Sequence, residues 1–256
     1  DLRHKLESFH GAQHKNAVSQ SWPHLAADDR FISWAAMTAV MHQPVKQWQQ
    51  RALTEKDPNK RVVALLALCK VVGSDPKNAT ADNAASKVDA KLRASIFKSL
   101  GQVDWAKLTH TGKLTLVRAY QIALIRLGEV DAGAKGRIVK HLDPNFPAPN
   151  FEQNWLLCET LAYLQAPSTA AKGLQLLQEA ATQEEQIEYA RSLRMLKAGW
   201  TLELRTAYFE WFLKAANYRG GASFSKFIEF IRRDAEASLD AMSRGQLKEL
   251  LAKKPV

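Results

Sequence analysis

Five of the seven histidines fall within the first forty-two residues: His4, His10, His14, His24 and His42. His10 and His14 have the i, i+4 spacing that puts two imidazoles on one helix face, the geometry of a helical metal pair. Gly11 lies between them, and no H-E-x-x-H arrangement supplies the glutamate of a metalloprotease, so these histidines read as surface residues. Paired carboxylates occur at Asp28-Asp29 and Glu184-Glu185. Adjacent helical residues point in different directions, whereas general acid/base chemistry needs two carboxyls converging on one cleft. Both pairs stand where helices begin, where negative charge favours the helix dipole. No G-x-S-x-G, P-loop or G-x-G-x-x-G motif is present. Cys69 and Cys158 lie far apart in apolar helical patterns, with neither C-x-x-C nor C-x-x-C-H. That excludes covalent haem attachment and the usual zinc spacings within this chain, and it predicts two buried free thiols. No catalytic, cofactor-binding or metal-ligating residue is assigned, no cofactor is expected, and the chain reads as a non-enzyme.

The residues best suited to gripping something lie at 200–236, a stretch dense in aromatics and arginines. Tyr208, Trp211, Phe212 and Ala215 share one helix face, and Phe224, Phe227, Ile228 and Ile231 share another. Tyr218-Arg219-Gly220-Gly221 turns between them. Gly-Gly permits positive φ or close approach of another backbone, and Ser223 can cap the helix that follows. The stretch reads as a helical hairpin with an aromatic core. Its tip, Tyr218, Arg219, Gly220, Gly221, Ser223 and Phe224, is the candidate interaction surface, because Tyr and Arg are favoured interface anchors. Replacing Tyr218 and Arg219 together is expected to weaken partner binding without lowering thermal stability.

The elements that must hold this tip are helices. Apolar residues recur at helical spacing, and strand-like alternation is scarce. Helices are expected within 1–20, from Arg30 to about Met41 behind an Asp28 or Asp29 cap, over 45–53, from Asp57-Pro58 to Val71, and over 91–101, 113–127 and 134–142. Gly101 and Gly128 are expected to close two of them as C-caps. After the Pro-rich run 143–149 come helices at about 150–165, 168–180, 183–198, 201–217, 223–237 and 243–252. Residues 74–90 read as a variable surface loop. Trp34, Trp155 and Trp211 fall within apolar faces and are expected in the core. Trp22, Trp48, Trp105 and Trp200 lie near helix ends, where an indole can keep its N–H wet.

The helices also repeat. Asp29-Arg30-Phe31-Ile32 resembles Lys60-Arg61-Val62-Val63 thirty-one positions later, and the run from Glu152 to Leu164 resembles that from Glu184 to Leu193 some thirty-two later. A period near thirty predicts an all-α, HEAT-like α-solenoid of antiparallel helix pairs, since one pair cannot bury its apolar face alone. The whole of 1–256 is expected to form one helical-repeat domain. A bend is expected at 143–149, between N-terminal repeats over 1–142 and C-terminal repeats over 150–256. An irregular helical bundle is the competing arrangement.

The 256 residues carry 36 Lys and Arg against 26 Asp and Glu, a formal charge of +10. Such a surplus fits an anionic partner or simply solvated lysines. It is spread along the chain with no polybasic arm, which weakens the case for nucleic acid. No apolar run is long enough to span a bilayer. The first residues carry no signal-like segment, and the chain looks like a piece of something longer.

Several motifs carry a family resemblance: Leu6-Glu7-Ser8-Phe9-His10-Gly11, His42-Gln43-Pro44-Val45, Leu142-Asp143-Pro144, Gly199-Trp200-Thr201, and Tyr218 through Phe224. With them the chain resembles the HEAT-type helical region of large secreted proteins of planctomycete-type bacteria, which join a β-propeller resembling a sugar dehydrogenase, a helical-repeat region and a c-type cytochrome. The resemblance covers nearly the whole chain except 74–90. It implies a periplasmic or secreted setting and a scaffold that binds a protein or holds flanking domains of the same chain. It carries no catalytic residue. The reading from another class, suggested by the charge, is a nucleic-acid-binding or DNA-repair HEAT-like protein.

Overall fold

The computed structural model describes residues 1–74 and 88–253, and its regular elements there are all helical, with no strand. Most of the loop expected at 74–90 thus lies outside the described residues. The chain divides into two compact units, Asp1–Arg137 and Ile138–Val256, with the division inside a helix at Ala132–Leu142.

The first unit holds α1 (Leu2–Glu7), α2 (Ala17–Ser21), α3 (Arg30–Met41), α4 (Gln49–Thr54), α5 (Pro58–Val72), α6 (Ala90–Gly101), α7 (His110–Arg126) and the start of α8 (Ala132–Leu142). Aspartates set the starts: Asp29 accepts from the amides of Phe31 and Ile32, Asp57 from those of Asn59 and Lys60, and Asp89 from those of Lys91 and Leu92. Each satisfies backbone donors that the first helical turn leaves orphaned. Alternate helices then pack on one another, α1 on α3, α3 on α5 and α5 on α7, while α2, α4 and α6 fill against them. The core between them is built from Leu65, Leu68, Ile96, Leu100, Leu116 and Tyr120.

Two pairs of local contacts recur at one spacing in this unit. The caps Asp29 and Asp57 are twenty-eight residues apart, not thirty-one. At the same offset, the Ser33 hydroxyl donates to the Leu25 carbonyl, and the Arg61 guanidinium donates to the Leu53 carbonyl.

The second unit holds α9 (Phe151–Tyr163), α10 (Thr169–Glu179), α11 (Gln183–Leu193), α12 (Leu202–Ala215), α13 (Phe224–Ala237), α14 (Ala241–Gln246) and α15 (Lys248–Ala252). Here too alternate helices meet: α9 packs on α11, α10 on α12 and α11 on α13. Some local hydrogen bonds in this unit lie thirty-two residues apart. Asn150 and Thr182 cap α9 and α11, each accepting from the amide three residues on. Asn154 Nδ2 donates to the Ala148 carbonyl as Gln186 Nε2 donates to that of Ala180, each six residues back. The hydroxyls of Thr160 and Ser192 each donate to the carbonyl four residues back. Gly199, with φ of 78°, closes against the Pro167 carbonyl so tightly that a Cβ would overlap it. Glycine is required there.

Several sequence expectations change. Trp34 is 60% exposed, whereas Trp22 and Trp48 are fully buried. Burial at the helix ends is possible because each indole N–H finds an acceptor, Glu55 for Trp22 and the Gln43 carbonyl for Trp48. Trp34 stands on the side of α3 turned away from Ala35, Ala36 and Val40. Gly128 does take positive φ after α7, but Gly101 is helical and Gln102 ends α6. Helix α7 starts three residues earlier than expected, at a Thr109 cap, and 243–252 divides into α14 and α15. Cys69 and Cys158 are buried free thiols, and burial pushes each thiol up to about 12.

Candidate functional site

Helices α12 and α13 form the hairpin expected at 200–236, closed by the turn at 218–223. Its core is aromatic, as expected. Tyr208 is fully buried, donates its hydroxyl to the Ala190 carbonyl at 2.7 Å, and meets Phe212 edge-on at 5.2 Å. Burial drives its phenol far above the usual range, so Tyr208 acts as a neutral donor. Trp211 packs edge-on against Phe212 at 5.0 Å and donates its indole N–H to Gln186 Oε1 at 3.0 Å.

The tip is anchored more firmly than its turn-like sequence suggests. The Tyr218 hydroxyl also donates to Gln186 Oε1, and its ring lies edge-on to Trp211 at 6.1 Å. Gln183, at the first residue of α11, clamps the Arg219 backbone from both sides: its amide group donates to the carbonyl at 2.7 Å, and its oxygen accepts from the N–H at 3.2 Å. Gln183 and Gln186 thus fix the turn to the preceding repeat. Tyr218 is half-buried, which makes the double substitution at Tyr218 and Arg219 a poor test of binding alone, since removing the ring also removes packing and a hydrogen bond.

Neither glycine of the tip has positive φ. Gly220 is instead a close-approach residue, because a Cβ there would collide with the Phe224 ring, while Gly221 faces open space. Ser223 immediately precedes α13, yet its hydroxyl makes no capping hydrogen bond. With φ of −96° and ψ of 2° it lacks the extended conformation that aims a capping oxygen at the N2 and N3 amides.

What the tip forms is the rim of a cleft. Phe212, Ala215, Tyr218, Phe224 and Ile228 line a space of about 250 Å³ between α12 and α13, with Ala216, Ser225, Glu229 and Arg232 around it. Arg232 is held in place by Glu236 at 2.9 Å and by the Leu251 carbonyl at 2.8 Å. Of the six expected tip residues, Tyr218 and Phe224 face this cleft. Arg219, Gly220, Gly221 and Ser223 are exposed beside it. Ile228 and Arg232 follow Phe224 at four-residue spacing along one helix face, and of these Arg232 was not singled out from the sequence. Phe227 and Phe230, by contrast, point outward at 41% and 50% exposure, with the Arg233 guanidinium 5.0 Å from the Phe230 ring.

Among the described residues no group of three or more His, Cys, Asp or Glu side chains could hold a metal ion. His10 hydrogen-bonds the Ala35 carbonyl at 2.9 Å, and His42 accepts from the Gly11 amide, so both fasten the 10–16 loop to α3. One buried cation stands out. Arg205 is 4% exposed, its guanidinium 4.3 Å from the Trp200 ring, with donors to Ser238 and the Leu196 carbonyl. Its Nε has no hydrogen-bond partner, and burial lowers its pKa to about 10. No protein-family model matches the chain, and neither a curated protein nor a solved structure matches it.

Proposed function

We propose that the chain is a non-catalytic helical-repeat module, a HEAT-like α-solenoid that docks a protein segment in the cleft between α12 and α13. The packing of alternate helices within each unit supports the repeat reading, together with one pair of helix caps 28 residues apart in the first unit and, in the second, a pair of caps and two pairs of buried polar side chains 32 apart. The cleft carries the binding reading. Its floor is aromatic and aliphatic, its volume is about 250 Å³, and its rim carries Tyr218, Arg232 and Glu229. A pocket of this composition suits one large apolar side chain, with polar groups at the mouth to orient the backbone that delivers it. In a larger redox protein of the kind the chain resembles, that segment would belong to a flanking domain or to a separate partner.

A random peptide library selected against the whole chain tests this. Selected peptides should share one large apolar anchor. They should lose at least tenfold in affinity, about 1.4 kcal/mol, on Ala216→Phe or Ser225→Phe, substitutions at exposed positions that fill the cleft mouth. Failure to enrich any peptide, or equal binding to variants that retain native circular dichroism, would overturn the proposal.

A further inference from the structure

A second surface lies in the first unit and owes nothing to the cleft. Phe31 and Trp34, one helical turn apart on α3, are 52% and 60% exposed. Soluble proteins seldom leave two large rings side by side in water without a use for them. Cations of α3 itself and of neighbouring helices lie beside the two rings. Arg30 of α3 and Arg3 of α1 lie 4.7 and 5.5 Å from the centre of the Phe31 ring, and Lys70 of α5 lies 5.0 Å from that of Trp34. Arg126 of α7 donates to the Lys70 carbonyl at 3.2 Å, placing a further guanidinium beside Lys70. Partial burial and this neighbour both hold the Lys70 ammonium below its ordinary range, so the site gains from an added anion.

Glu7 offsets the charge of Arg3 at 2.7 Å, and Asp29 Oδ1 accepts from the Phe31 and Ile32 amides beside Arg30, whereas Lys70 has the Arg126 guanidinium for its charged neighbour. Cations of α1, α3 and α5 thus lie against two exposed rings of α3, and these helices pack on one another in that order.

We infer that this strip binds single-stranded nucleic acid, with bases stacking on Phe31 and Trp34 and phosphates meeting Arg30 and Lys70. An unpaired nucleotide offers a flat π-face next to a negative charge, which suits an exposed ring with a cation beside it. A duplex hides its base faces within the stack and can use only the cations. An acidic protein or polysaccharide would answer the charge, but an acidic peptide gives the rings nothing to stack on.

Fluorescence anisotropy of labelled oligothymidylate titrated with the whole chain tests the inference, with duplex DNA of equal length and heparin as competitors. The single strand should bind and weaken steeply with salt. The double variant Phe31→Ala/Trp34→Ala should bind it at least about tenfold more weakly, from the loss of two stacking platforms. Its heparin affinity should be unchanged. Both residues are exposed, so the variant keeps its fold, and its melting temperature verifies this. Lys70→Gln should reduce the salt dependence. Absence of oligothymidylate binding at low salt would overturn the inference, as would heparin or duplex binding as tight as the single strand and indifferent to the aromatic pair. The last result would mark a general polyanion surface, anionic polysaccharides included.

Discussion

Replacing Gln186 by methionine removes three hydrogen bonds while nearly preserving side-chain length. Gln186 Oε1 accepts from the buried Trp211 indole and from the Tyr218 hydroxyl, and its Nε2 donates to the Ala180 carbonyl at 2.9 Å. The Trp211 donor is left without an acceptor in the core, which costs about 1–3 kcal/mol. Tyr218 and Ala180 are only half-buried and can turn to water, adding about 1 kcal/mol between them. The variant should therefore lose about 2–4 kcal/mol in urea unfolding followed by near-UV circular dichroism. Tyr218→Phe alone should lose about 1 kcal/mol, and in the Gln186→Met background it should lose almost nothing, because its acceptor is already gone. Strictly additive losses, or a Gln186→Met cost under about 0.5 kcal/mol, would mean that Gln186 does not tie the hairpin to α11.

Three other outcomes follow from the packing. Burial raises the Glu55 carboxyl, but the Trp22 indole and the Asp57 and Lys56 amides outweigh it and hold it below its ordinary 4.5. Its stabilising contribution is present above that value and fades as pH falls through the lower folded value, so Glu55→Gln should narrow the stability gap to the parent between about pH 6 and pH 3. A constant gap would refute this. Cys69 and Cys158, both pushed up to about 12, should resist a thiol reagent at neutral pH until the chain unfolds, and fast labelling of the native protein would contradict their burial. Deleting 150–181 joins Pro149 to the Thr182 cap and puts Ala148 where Ala180 stood. The product should still unfold cooperatively, whereas a non-cooperative helical ensemble would argue against repeat equivalence.

The helical class and most helix starts were legible because caps and apolar spacing are local properties. Asp29 and Asp57 announce their helices without reference to anything distant. The aromatic hairpin was legible for the same reason. What stayed hidden depends on partners far along the chain. Trp22 and Trp48 resemble wet helix-end indoles until Glu55 and the Gln43 carbonyl are brought to them. Trp34 sits among alanines in an apolar run, and only the packing of α1 and α5 decides that its side of α3 faces water. Tyr218 reads as a free turn residue because Gln186, thirty-two positions earlier, gives no local hint that it will accept the hydroxyl. Gly220-Gly221 suggests positive φ, but the requirement at Gly220 is room for the Phe224 ring.

The docking claim rests on one cleft and is best tested by hydrogen–deuterium exchange of the whole chain with and without a selected apolar-anchor peptide. Protection should concentrate in 212–232, where Phe212, Tyr218, Phe224 and Ile228 line the space, and should vanish in Ala216→Phe. Protection confined to other helices, or persisting in the filled variant, would contradict a docking site between α12 and α13.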